Sequence, residues 1–198
     1  MSEGMEQTAG DLRPAREGVG PLLERDYWAV VEDAALRPRQ VMAEVRAHFE
    51  SFAPGELAEF SRAEAGRPLQ PGDELCIRIA GAGECRVRVV HCDACSLTFA
   101  TLAGHPEAGR ITFGAYRNRE RELVFHIRSR ARSDSLLRLL GFMVAGEAMQ
   151  TNTWAAFVNR VAALSGGRVR GFVRAEMNVI ADADDGPEDG PTFLARGD

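Results

Sequence analysis

The chain has 198 residues, enough for one domain with a substantial core, and its 45% hydrophobic and 27% charged content is that of an ordinary globular protein. All 24 basic side chains are arginine, which excludes mechanisms that need a lysine: a Schiff base, a pyridoxal-phosphate anchor or a Walker-type phosphate loop. The net charge of −5 lies wholly in residues 181–198, where six acids face Arg196; residues 1–180 therefore balance to zero and give no reason to expect a nucleic-acid partner.

Residues 1–20 lack periodicity and are expected to be disordered. They hold no apolar core of a secretory signal, and no apolar run approaches the roughly 18 residues of a membrane-spanning helix. The expectation is a cytoplasmic protein without stable membrane insertion, its four cysteines reduced. "DYWAVVEDA" (26–34) has the aromatic and β-branched content of a strand. A helix follows over 37–52, with Pro38 in its first turn, Val41, Val45, Phe49 and Phe52 at helical spacing, and "APG" to end it.

From 73 to 131 the period changes to two. Leu75, Ile77 and Ile79, then Cys85, Val87 and Val89, then Leu97 and Phe99, Ile111 and Phe113, and Leu123, Phe125 and Ile127 alternate with polar neighbours. This predicts an antiparallel meander with one apolar face, and Arg78, Arg86, Arg88, Arg128 and Arg130 share the parity of the polar one. Ser133 or Asp134 then caps a long helix to about residue 165, stopped by "SGG". One more strand over 168–180 and an acidic, disordered tail over 181–198 complete a single domain of residues 21–180. A sheet with one oily face needs a cover, and the last helix alone is long enough. The fold class is α+β: a curved antiparallel sheet wrapped around a long C-terminal helix, a helix-grip arrangement.

"HCDAC" (91–95) is the stretch that looks most like metal or redox chemistry. Alternation puts Cys85 on the side of Leu75 and Ile77 and Cys76 on the other, so these two thiols cannot both join Cys92 and Cys95 in a tetrahedral site. No helix N-terminus follows to lower a thiol pKa. The reading is a turn, with no metal and no cofactor.

On the long helix, Leu140, Met143, Trp154, Phe157 and Val161 fall within roughly 60° of Leu136, and Glu147 and Gln150 fall in the middle of that stripe. Buried without partners, the amide alone costs roughly 2–7 kcal/mol. Three answers stay open: a cavity in which Glu147 and Gln150 orient a ligand beside Trp154 and Met143, a satisfied internal network, or a kink at Gly141 or Gly146 that turns both to water. "GHPEAGR" (104–110) brings His105, Glu107 and Arg110 together, the minimum for acid–base work, although Pro and Gly are also what a tight turn demands. Tyr116 joins these as a ligand-binding candidate; His48 and His126 are read as isolated and structural.

At "TLAGHPEAGRITFGAYR" (101–117), "VFHIRSRARS" (124–133) and "AMQTNTW" (148–154) the chain resembles an uncharacterised domain family that includes the plant chloroplast outer-envelope pore protein and many bacterial proteins. That family is similar to the START-like (SRPBCC, birch-pollen-allergen-like) helix-grip superfamily. The resemblance implies an apolar ligand held between sheet and helix and assigns no catalytic residue. The plant relative's pore activity transfers poorly, since six or seven strands fall below the eight of the smallest transmembrane barrels and an arginine face would meet lipid. The leading expectation is a module that binds a small, mostly apolar molecule. An enzyme of the same fold using His105, Glu107 or Glu147, and an interaction protein, are the alternatives, and homo-oligomerisation is compatible with each.

Overall fold

The computed structural model describes residues 11–195 except 54, 56–57, 63, 65, 80–82 and 134–135; within 136–149 it describes the backbone alone. The elements run β1 (Val19–Glu32), α1 (Pro38–Ala47), α2 (Phe49–Phe52), β2 (Ala58–Ser61), β3 (Glu74–Ile79), β4 (Gly83–Cys92), β5 (Ser96–Thr101), β6 (Glu107–Arg117), β7 (Leu123–Ser133), α3 (Leu136–Leu164), β8 (Arg168–Val169) and β9 (Arg174–Ile180). Among the described residues the strands form one nine-stranded sheet, ordered β2-β3-β4-β5-β6-β7-β1-β8, with β9 also paired to β1. This exceeds the six or seven strands expected, so strand number no longer argues against a barrel, but the sheet stays open at β2 and at β8 and β9.

Pairing is antiparallel throughout and sets one face. Tyr27, Ala29 and Val31 lie opposite Ile127, Phe125 and Leu123, while Phe113 lies opposite both Ile127 and Leu97. All these side chains are buried. Cys85 faces Ile77 and Cys76 faces Arg86, which puts the two thiols on opposite faces.

The first helix breaks where a continuous one was expected. Pro38 opens α1, and Gln40 Oε1 accepts the Arg37 N–H (2.9 Å). His48 then leaves helical geometry at φ −130°, and α2 restarts at Phe49. The break seats Phe49 at the centre of the core, 5.0 Å from Phe99 and Phe113 and 5.2 Å from Phe157 between ring centroids. Edge-on contacts of this kind add to the stabilisation from burial itself.

Helix α3 lays Phe157, Val158, Val161 and Ala162, all buried, on the inner face. Its end follows the "SGG" signal. Gly166 takes φ +79°, and the Gly167 N–H reaches back to the Ala162 carbonyl (3.1 Å), satisfying a terminal carbonyl. Among the described residues no helix is long and apolar enough to cross a membrane.

Both segments expected to be disordered hold defined positions where they are described. Leu12 bridges Leu102, and the Arg13 N–H donates to the Thr101 carbonyl (2.8 Å). Residues 181–195 cross the outer face of the sheet as a strap. Composition marked the tail as unable to bury a core, but the strap is held chiefly by charge. Arg110, Arg130 and Arg132 bind Asp185, the carbonyls of Asp184 and Asp185, and Asp182. Thr192 docks on Thr112 (2.9 Å), and Phe193 stacks on His126 (4.4 Å).

Candidate functional site

The aromatic core ends at Trp154, which is half-buried and packs on Phe113 (5.4 Å) and Phe60 (6.4 Å). One turn earlier on α3 is Gln150, and there the inner face turns polar. Arg25 lies on β1 with the parity of Tyr27, and Glu107 opens β6 with the parity of Phe113. Both side chains therefore point inward, and both residues are buried, at 4% and 9% exposure. Arg25 Nη1 donates to Glu107 Oε1 (3.0 Å), and Gln150 Nε2 donates to Glu107 Oε2 (3.1 Å). Among the described residues, Gln150 Oε1 is buried without a hydrogen-bond partner. A buried amide oxygen left so costs about 1–3 kcal/mol, and a donor arriving from a ligand would recover it.

The loop before Glu107 is a backbone device. The Glu107 N–H donates to His105 Nδ1 (3.0 Å), which fixes where the carboxylate starts. Gly109, at φ +152°, lets β6 and β7 approach so closely that a Cβ there would lie 2.2 Å from the Arg130 carbonyl oxygen. The "GHPEAG" motif thus aims Glu107 into the interior.

Of the residues expected at the site, the structure brings together Gln150 and Glu107, with Trp154 and His105 flanking them. Alternation along β6 sends two others away. Arg110 faces outward to Asp185 (3.1 Å), where burial presses its guanidinium below the ordinary value and Asp185 partly offsets this. Tyr116 also faces outward, its hydroxyl 3.5 Å from His126 Nδ1 and its pKa raised by burial. The side chains of Met143 and Glu147 lie outside the described residues. Arg25 was missed, although strand parity with Tyr27, Ala29 and Val31 would have placed it on the oily face.

His126 is not isolated. Its Nε2 lies 2.5 Å from Asp26 Oδ1, which also accepts from Arg128 Nε (2.7 Å). Burial alone would raise the Asp26 carboxyl, but these two hydrogen bonds outweigh it and hold the group below its ordinary range. "HCDAC" ends β4 in a turn: Asp93 Oδ1 accepts the N–H groups of Cys95 and Ser96 (2.7 Å each). Among the described residues no group of three or more His, Cys, Asp or Glu could hold a metal. At the far end of the sheet, an open cleft of about 450 Å³ is lined by Arg117, Arg168, Arg170, Glu32, Asp33 and Glu122. Val31, Ala34 and Leu123 complete its lining, and Arg168 and Arg170 there are ion-paired.

A family model described as Domain of unknown function (DUF1990) matches residues 26–162. No curated protein matches the chain. Among solved structures, the fold is similar to norcoclaurine synthase from Thalictrum flavum in complex with dopamine and hydroxybenzaldehyde (11% identity, 82% of this chain and 96% of that one, TM-score 0.52). It is also similar to a hypothetical protein of Helicobacter pylori (9%, 82% and 99%, 0.53) and to the di-domain ARO/CYC StfQ of the steffimycin biosynthetic pathway (10%, 77% and 52%, 0.51). At these identities the likeness establishes a helix-grip fold and nothing finer.

Proposed function

For this chain, which belongs to the DUF1990 family, we propose a binding function: a small, mostly apolar molecule held between the sheet and the C-terminal helix, with its polar group met by Arg25, Glu107 and Gln150. The observation that carries the reading is Gln150 Oε1, buried and without a partner among the described residues, beside a carboxylate that already accepts from Arg25 and from Gln150 Nε2. Trp154 and half-buried Ile111 supply the adjoining apolar wall. Met143 and Glu147 share this helical stripe by sequence spacing alone, their side chains lying outside the described residues. The nearest aromatic space is filled by Phe49, so the ligand sits at the polar end of the grip rather than at its centre.

Native mass spectrometry of the purified chain tests it. The expected result is a co-purified small molecule that is lost on denaturation and absent from Glu107→Leu. A chain that travels at its bare mass and leaves the fluorescence of 1-anilinonaphthalene-8-sulfonate unchanged contradicts it.

A further inference from the structure

Strand β9 is bonded to β1 along one edge, from Arg174 opposite Trp28 to Ile180 opposite Leu22. Its other edge pairs with no strand among the described residues. The strand contains no proline, and no bulge interrupts its pairing, two of the devices that blunt an open edge. Its side chains are exposed except at Ile180, and Ala175, Met177 and Val179 form an apolar strip on the parity of the inner face, with Met177 46% and Val179 69% exposed.

The polar side of β9 is unusual in this protein. Elsewhere on the sheet, arginines are matched to acids: Arg78 to Glu59 and Glu84, Arg88 to Glu74, Arg128 to Asp26, Arg130 to Glu24 and Arg170 to Glu122. Arg174 and Glu176 have no ion pair among the described residues. The cross-strand neighbour of Glu176 on β1 is Asp26, a like charge, so a cation on the open side relieves the repulsion.

We infer that this edge pairs with β9 of a second copy of the chain, antiparallel about a twofold axis through Ala175. A two-fold contact is self-complementary, and this register sets Arg174 against Glu176 of the other copy twice over. Within the strand, residues 174–176 of each copy pair with one another, and Val173, just before β9, comes beside Met177 of the other copy and covers part of it. Other registers of the same edge lose the double ion pair. The surface is separate from the inner polar site and stands whether or not that site binds a ligand.

The test is sedimentation and light scattering of the full chain over a concentration series, with circular dichroism to show that each variant is folded. The wild type is expected at twice the 21.6 kDa chain mass. Arg174→Glu and Glu176→Arg each set like charges in opposition and are expected to be monomers, and the double exchange R174E/E176R restores the dimer. In the wild type, amide protection over 173–177 rises with concentration. A wild type that stays monomeric, single variants that remain dimeric, a double exchange that fails to restore association, or protection independent of concentration each overturns the inference.

Discussion

Replacing Glu107 by Leu removes the carboxylate that ties β1, β6 and α3 together. Arg25 and Glu107 side chains are 5% and 11% exposed, too buried for water to screen the loss. Breaking a buried pair by deleting one partner costs about 3–5 kcal/mol, because the remaining charge stays desolvated, and Gln150 loses its acceptor as well. At about 2–4 °C per kcal/mol for a chain of this size, the melting temperature falls by about 6–20 °C. The Arg25→Met cost overlaps with this one, so the two single losses fail to add in the double variant by more than about 1 kcal/mol. Urea denaturation of the four proteins measures all of these. A Glu107→Leu loss under about 1 kcal/mol, or strictly additive losses, would refute the picture of a buried, coupled carboxylate.

The strap gives a second outcome: Asp185→Ala leaves the Arg110 guanidinium, 2% exposed, with only backbone acceptance and lowers stability by about 3 kcal/mol in the same assay. Gly109→Ala forces a Cβ onto the Arg130 carbonyl oxygen and costs more than about 2 kcal/mol, read by thermal melting. For Asp26, hydrogen bonds from His126 and Arg128 overcome the effect of burial and depress the folded pKa below the ordinary 3.8. Its contribution is therefore complete above that ordinary value and is lost as the pH falls through the folded one, so Asp26→Asn flattens the acid limb of the stability curve measured by urea unfolding from neutral pH downward.

Much of the frame was legible because it rests on local periodicity. The two-residue alternation from Leu75 to Ile127 sets the faces of the sheet, and "SGG" sets the end of α3. What stayed hidden depends on contacts distant in sequence. Parity along β6 already separates Glu107 from Arg110, but reading "GHPEAGR" as a loop to residue 110 obscured that the strand begins at Glu107. Arg25 lay one residue before the strand as read, so its inward direction went unseen. His126 looked solitary because Asp26 and Phe193 approach it from 100 and 67 residues away. The acidic tail has the composition of a disordered segment; its anchoring arginines at 110, 130 and 132 are spaced by the sheet, not by the sequence near the tail.

The central claim is that Gln150 Oε1 waits for a ligand's donor at the polar end of the grip. Its most direct test is the affinity of the purified chain for 1-decanol against decyl methyl ether, by calorimetry or tryptophan fluorescence. Satisfying a buried acceptor worth about 1–3 kcal/mol makes the alcohol about 5- to 150-fold tighter, and Gln150→Leu erases that preference. Equal affinity for both molecules in the wild type, or an undiminished preference in Gln150→Leu, contradicts the account.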